Sequence, residues 1–190
     1  MDKEQVSQDT LYEYMQAHGL KMTRLAQLIG KSDDVVTSCF KHHKDVHGRP
    51  RSFNDQHLAL INEALPRLAD ELLARRLEFG KGDVTTNRWG NVYDPSLIEP
   101  INELGVYMNV TALVDRVLGW KKGKKSAVFC QPSSKAYGCI SKADATAINT
   151  ELLAVAGVLS SYEVVADDGG NSEPKTADSK EDNKGGEELT

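Results

Sequence analysis

An internal repeat constrains the fold of this chain more than any other feature of its sequence. Three short segments of the first half recur in the second half, at a spacing of 89 residues that falls to 87 further along. The matched pairs are residues 28–30 (LIG) with 117–119 (VLG), Phe40 with Phe129, and residues 61–62 (IN) with 148–149 (IN). A small change in spacing fits a difference in one loop, so the pattern predicts one helical supersecondary unit used twice.

Charge is distributed unevenly along the 190 residues. Residues 167–190 carry eight acidic side chains and three lysines, so this segment holds the whole formal charge of -5 and the rest of the chain is neutral. The segment has almost no apolar residues, and we expect a disordered acidic tail because it cannot bury enough surface to offset its ordering entropy. Without the tail, the sequence pI of about 5.6 no longer argues against a polyanionic partner.

The first unit is predicted to span residues 7–79 and to consist of short helices. Gly19 ends the first helix, and Thr23 caps a second helix that closes at Gly30. Asp33 or Asp34 then opens a third helix, where a carboxylate suits the positive end of the helix dipole.

Three positions in the second and third helices have the spacing of a helix-turn-helix. Counting from Met22 as the first position, Ala26 is the fifth, Gly30 the ninth and Val36 the fifteenth. The motif needs a small residue where the helices cross, a residue tolerant of positive φ in the turn, and an apolar anchor in the third helix. On these residues, about the first third of the chain resembles the Cro and lambda-repressor-like (XRE) helix-turn-helix family.

The resemblance implies a mainly α fold in which a fourth helix, here residues 54–65, follows a loop and the third helix enters the major groove of DNA. The exposed positions of that third helix are Ser32, Asp33, Thr37, Ser38 and Lys41. The helix has no Arg, Asn or Gln, the side chains that make bidentate contacts with bases. Base recognition is therefore less well supported than contact with the DNA backbone.

A basic stretch follows the third helix. The side chains predicted to neutralise phosphates are Lys41, Lys44, Arg49 and Arg51. An ordinary solvated loop is the alternative for this stretch, because runs of charge on loops are common.

Residues 80–97 are predicted to form a connector with a short hairpin, because glycines, β-formers and turn formers are mixed there. Residues 94–95 (DP) then begin a helix with proline at its first position. Upstream, Pro66 interrupts the leucine pattern of the fourth helix. We expect a break or kink there, since proline inside a helix costs about 3 kcal/mol.

The second unit, residues 98–166, departs from the helix-turn-helix pattern. Asp115 stands where the small residue belongs and Lys125 where the buried anchor belongs. Thr111 is expected to cap one helix and Ser141 the long final helix. Between Asp115 and Asp144 there are seven Lys and Arg residues and no acidic residue. The phosphate contacts predicted in this stretch are Lys121, Lys122, Lys124 and Lys125, with a solvated lysine-rich loop as the alternative.

The remaining notable side chains are assigned structural roles. Asn62 and Asn149 hold equivalent places in the repeat, and each is expected to satisfy backbone groups of its own loop. The three cysteines are unpatterned and are expected to be reduced packing residues; they are Cys39, Cys130 and Cys139.

The sequence favours a cytoplasmic DNA-binding protein, a transcriptional or mobile-element regulator that contacts double-stranded DNA through the basic faces of two helix-turn-helix-like units. The alternative is a non-enzymatic adaptor or inhibitor that binds a protein partner through the same scaffold. Its oligomeric state is left open between a monomer with a pseudo-twofold repeat and a homodimer. No catalytic, cofactor or metal motif appears. No apolar run reaches the roughly 20 residues needed to cross a bilayer, so we expect no membrane association.

Overall fold

The computed structural model describes residues 3–86, 90–119 and 140–166. Within these ranges the chain is mainly helical, as the sequence predicts, with seven α-helices, one 3-10 turn and four short strands. The helices are α1 (Gln8–Ala17), α2 (Met22–Leu28), α3 (Asp33–Phe40), α4 (Asp55–Leu73), α5 (Ile98–Leu104), α6 (Val110–Leu118) and α7 (Lys142–Ser161). The strands are β1 (Glu4–Val6), β2 (Thr85–Thr86), β3 (Val92–Tyr93) and β4 (Tyr162–Val164), and the 3-10 turn is Pro95–Leu97.

Glycines end three of the helices in the way that the sequence indicates. Gly19 and Gly30 follow α1 and α2 with φ of +67°, and Gly119 follows α6 with φ of +63°. This left-handed conformation is one that glycine adopts without steric cost. The predicted cap of α7 is also confirmed, because the Ser141 side chain and Asp144 form a reciprocal capping box.

Two predicted helix caps are wrong. The N-cap of α2 is Lys21 rather than Thr23, and the N-cap of α6 is Asn109 rather than Thr111. Both helices start earlier than expected because of a contact between the two halves of the chain. Residues 19–21 and 107–109 pair as a short antiparallel bridge, and each helix begins directly after it. A local capping pattern carries no information about such a long-range contact.

The predicted break at Pro66 is also wrong, since α4 continues through it from Asp55 to Leu73. The reason is burial on both sides of the proline. Leu65, Leu68 and Leu72 are each 1% exposed or less. Full burial of one leucine contributes about 1.5–3 kcal/mol, so these side chains together outweigh the roughly 3 kcal/mol cost of an interior proline.

The long helices α4 and α7 pack against each other at the centre of the structure. Their buried faces are filled at positions 87 residues apart. The buried pairs are Ile61 with Ile148, Leu65 with Leu152, Leu68 with Val155, Ala69 with Ala156, and Leu72 with Leu159. The buried side chains of both halves belong to one continuous apolar cluster. Each half therefore covers the apolar face of the other.

Asn62 and Asn149 bind backbone groups, but not those of their own loops. Asn62 on α4 exchanges two hydrogen bonds with the backbone of Val164, at 2.7 and 2.9 Å. Asn149 on α7 exchanges two with the backbone of Leu77, at 2.7 and 2.8 Å. In both cases the partner lies just after the opposite long helix. The expectation that each asparagine serves its own loop is therefore wrong, because the backbone groups that it binds lie in the other half of the chain.

The four short strands form two separate two-stranded sheets. β1 pairs in parallel with β4, which ties the start of the described chain to its end. The hairpin predicted in the connector is confirmed, with β2 antiparallel to β3. The connector then enters the 3-10 turn at Pro95, as predicted, with Asp94 as its cap.

Candidate nucleic-acid interface

Ala26 in α2, Gly30 in the turn and Val36 in α3 are the three residues whose spacing matches a helix-turn-helix. Ala26 and Val36 are fully buried, at 1% and 0% exposed. Gly30 lies between them with positive φ, and no atom lies within 4 Å of the place where a Cβ would be. Any side chain at Gly30 would therefore be strained by the backbone conformation alone, not by crowding.

The outer face of α3 carries small polar side chains. Ser32 is the N-cap, and its hydroxyl accepts a hydrogen bond from the Val35 amide. Thr37 and Ser38 are half-buried, whereas Lys41 at the C-cap is exposed. Asp33 and Asp34 are exposed in the first turn, where they favour the helix dipole and would repel a phosphate.

The chain then turns into a compact hairpin-like segment, residues 41–51, which we call the basic loop. Lys44 and Pro50 form an isolated antiparallel bridge. The Arg51 amide donates to the His43 carbonyl at 2.9 Å, and the Asp45 amide donates to the Arg49 carbonyl at 2.8 Å. The sequence predicted a basic stretch here but not this backbone pairing.

The tip of the basic loop is held by Asp45. One oxygen of its carboxylate accepts from the amides of His47 and Arg49, at 2.8 and 2.9 Å. Gly48 completes the turn with φ of +75°. The one acidic side chain in the basic loop therefore serves to shape the backbone, as Asp and Asn commonly do in turns.

The base of the basic loop is clamped by Gln8, which is only 3% exposed. Its amide NH₂ donates to Nδ1 of His42 at 3.2 Å, on one side of the loop. Its carbonyl oxygen accepts from the Phe53 amide at 3.4 Å, on the other side. A buried amide that bridges both ends of a loop fixes the loop against the helix that carries the amide, here α1.

His42 also has a special backbone conformation, with φ of +49°. Its Nε2 donates to Asp9 at 2.8 Å, so the imidazole lies between Asp9 and Gln8 at the start of α1. Only about 1–2 kcal/mol separates the left-handed conformation from the usual one for such a residue, and these two side-chain contacts offset that cost.

Aromatic side chains pack where α3 meets the basic loop. Phe53 meets Phe40 edge to face, with ring centroids 4.8 Å apart, and Tyr12 stacks on Phe40 at 5.5 Å. The Cys39 thiol donates to the Ser52 carbonyl at 3.7 Å, and burial raises the pKa of that thiol. Cys39 is thus a buried packing residue, as predicted, whereas Cys130 and Cys139 lie outside the described residues.

The four predicted phosphate-contacting side chains of this region are all exposed: Lys41, Lys44, Arg49 and Arg51. Among the described residues, none of them forms an ion pair. Arg24, by contrast, is paired with Glu71, and Arg116 is paired with Glu151. Cations that form no ion pair with the described residues can contact a polyanion without an internal ion pair being broken.

The lysines of the second predicted basic patch lie outside the described residues; they are Lys121, Lys122, Lys124 and Lys125. Arg88 and Trp89 of the connector also lie outside the described residues. Before the patch, Asp115 is half-buried on α6, at the position equivalent to the fully buried Ala26. The described part of the second half thus shares the turn glycine with the first half but not the small residue.

Sequence reasoning missed the residues that position the basic loop. His42 is more than 30 residues away in sequence from Gln8 and Asp9, so no local pattern joins it to them. The sequence signal for this role is that Gln8 lies at helical spacing from Leu11 and Met15, on the face of α1 that is otherwise apolar. Within the described ranges, no group of three or more His, Cys, Asp or Glu side chains is arranged to hold a metal ion.

Comparisons with known proteins add no relative to this description. A scan against protein-family models, a search of curated proteins and a search of solved structures each found no match to the chain. In the described residues, none of the helices combines the length and apolar character that crossing a bilayer requires.

Proposed function

We propose that this chain is a DNA-binding protein, a transcriptional or mobile-element regulator whose first half contacts duplex DNA through α3 and the basic loop. The observation that supports this most is the set of four exposed, unpaired cations on a loop whose backbone is held at both its tip and its base. The loop directly follows α3, the helix that the family resemblance assigns to the major groove.

Phosphate contact supplies most of the affinity in this proposal. If all four cations of the basic loop contact phosphates, the logarithm of the binding constant falls with the logarithm of the salt concentration with a slope of about -3.6. The outer face of α3 adds hydroxyl groups from Ser32, Thr37 and Ser38, together with the carboxylate of Asp33, which would repel a phosphate. Serine and threonine bind several bases, so we expect modest discrimination between DNA sequences.

The two-unit arrangement belongs to the proposal as well. The reciprocal hydrogen bonds of Asn62 and Asn149, and the matched buried positions of α4 and α7, support two related halves about an approximate twofold axis. The lysine patch at 121–125 would then offer a second contact with the same duplex. Covalent linkage raises the effective concentration for that second contact, so even a weak contact increases overall affinity.

The test measures the binding of the full chain to random-sequence duplex DNA by fluorescence anisotropy. The loop variant carries Lys44→Gln, Arg49→Gln and Arg51→Gln. Within the described part of the chain, these three side chains form no hydrogen bond that holds the loop, whose pairing runs through its backbone. We expect at least a tenfold loss of affinity at about 100 mM salt, since each lost phosphate contact weakens binding several-fold.

A matched control separates the basic loop from general charge. It carries Lys3→Gln, Arg67→Gln and Lys142→Gln, three exposed cations outside the loop, and it has the same net charge as the loop variant. The control should bind within about twofold of the unmodified chain, because screened charges outside the site contribute little. Equal losses in both variants, or salt-independent binding to a protein with no binding to DNA, would favour the adaptor function instead.

A further inference from the structure

We propose that the acidic segment 167–190 binds the basic loop of its own chain and thereby competes with external polyanions for it. The claim that this segment binds the loop does not depend on DNA binding. Only the competition with DNA rests on the proposed function. The proposal makes the basic loop a regulated site, with an occupant supplied by the same polypeptide.

Charge complementarity is the first argument. Segment 167–190 carries eight acidic residues and three lysines, whereas the basic loop carries four Lys and Arg residues and one aspartate, Asp45. Asp45 directs its carboxylate to backbone amides of the loop, so it opposes an incoming carboxylate less than a free aspartate would. Opposite charges on the two segments attract them at low ionic strength.

The place where the acidic segment leaves the fold is the second argument. The Val165 amide donates to the Val6 carbonyl at 2.9 Å, which continues the pairing of β1 with β4. Val6 is two residues before Gln8, and Gln8 binds His42 at the base of the basic loop. Summed over these short links, the end of the described chain lies within about 25 Å of the loop base.

Length is the third argument. The composition of segment 167–190 predicts a flexible coil, and a coil of 24 residues has a root-mean-square span of about 25–30 Å, which is similar to the distance from Ala166 to the loop base. A linker that matches its target distance gives an effective concentration in the millimolar range. Even a weak electrostatic contact between the segment and the loop then forms for much of the time, because the effective concentration within one chain replaces the concentration of the protein.

The experiment compares the full chain with a variant whose acidic segment is neutral but equally long. Its substitutions are Asp167→Asn, Asp168→Asn, Glu173→Gln, Asp178→Asn, Glu181→Gln, Asp182→Asn, Glu187→Gln and Glu188→Gln. An opposite control carries Lys175→Gln, Lys180→Gln and Lys184→Gln, which makes the segment more acidic. None of these substitutions lies in the described fold, so the folded structure is the same in all three proteins.

The first readout does not involve DNA. The backbone amide resonances of Lys44, His47 and Arg49 are compared by ¹H–¹⁵N NMR at about 50 mM salt and at about 500 mM salt, where screening removes exposed charge attraction. We expect these resonances to differ between the chain and its neutral variant at low salt and to coincide at high salt. Identical loop resonances at low salt would overturn the proposal.

The second readout is affinity for random duplex. We expect the neutral variant to bind about five times more tightly at low salt, since an effective concentration of a few millimolar then competes against a dissociation constant of about 1 mM. The more acidic control should bind more weakly than the unmodified chain. Shifted loop resonances without any DNA binding would contradict the proposed function alone. DNA binding without shifted resonances would contradict this inference alone.

Discussion

Two regions of this molecule use cations in opposite ways. Where the two halves meet, Arg75 of the first half pairs with Glu103 of the second at 3.2 Å. Arg116 pairs with Glu151 within the second half at 2.8 Å and also donates to the Ala17 carbonyl of the first half at 3.2 Å. In the basic loop, the arginines and lysines are exposed and form no ion pair with any described residue. The paired arginines connect described segments of the fold, whereas the cations of the basic loop are the ones that the proposed DNA contact uses.

The contrast extends to hydrogen bonding. The interface between the halves uses side chains to satisfy distant backbone groups, as Asn62 and Asn149 do. The basic loop pairs its own backbone and leaves its long side chains free. Substitutions in the two regions should therefore have separable effects, on stability in the interface and on binding in the loop.

The largest loss of stability is expected when Asn62 or Asn149 is replaced. Asn62→Ala and Asn149→Ala each remove two hydrogen bonds and leave partly buried backbone groups of Val164 or Leu77 without those partners. We expect each variant to lower the free energy of unfolding by about 2–3 kcal/mol. Urea unfolding measures this change in free energy. Asn102→Ala, at an exposed position, is the control, and we expect it to change the free energy of unfolding by about zero. Clearly unequal losses for the two variants would break the twofold comparison.

A smaller, pH-dependent effect is expected from Asp94, whose amide joins the connector to Ile140 just before α7. Burial alone would raise the pKa of Asp94, but hydrogen bonds from the Ser96 hydroxyl and from the Gly80 and Ser96 amides outweigh it and lower the pKa. A lowered pKa in the folded state means that the stabilisation is present above the unfolded value of about 3.9 and is lost as pH falls below it.

The measurement for Asp94 is the difference in unfolding free energy between the chain and Asp94→Asn. We expect a loss of about 1.5–2 kcal/mol at neutral pH, because hydrogen bonds to a charged group are the strong ones. The difference should shrink below about pH 4 as the carboxylate is protonated. A difference that stays constant down to strongly acidic pH would show that the charge of Asp94 does not matter.

The smallest changes in stability and affinity are expected from single arginine substitutions. They test directly whether paired and unpaired arginines have different roles. Arg24 is paired with Glu71, whose hydrogen bond raises the pKa of the guanidinium, and both side chains are about a quarter exposed. Arg24→Gln should cost about 0.5–1 kcal/mol of stability and leave duplex affinity unchanged. Arg49→Gln should do the reverse, with unchanged stability and a several-fold loss of affinity. Chemical unfolding and anisotropy on the same two variants decide this.

The local parts of the structure were predictable from the sequence. The left-handed glycines at positions 19 and 30, the cap at Ser141 and the hairpin in the connector all follow from short patterns of residues. Each depends on neighbours within a few positions, where the preferences of single residues decide the backbone.

The parts that depend on distant contacts were not predictable in the same way. The continuity of α4 through Pro66 depends on packing against α7, and the start of α2 depends on a bridge to residues 107–109. At the candidate site, the cations of the basic loop were visible in the sequence. Their placement by Gln8 and His42 was not, because a hydrogen bond across 34 residues leaves no periodic pattern.

The salt dependence of duplex binding tests the central claim most directly. The binding constant of the full chain and of the loop variant is measured over a range of salt concentrations, and the two logarithmic slopes are compared. Loss of three phosphate contacts predicts that the slope becomes shallower by about 2.7 in the loop variant, while the control variant keeps the slope of the unmodified chain. Equal slopes for the loop variant and the unmodified chain would contradict the claim that the basic loop contacts DNA.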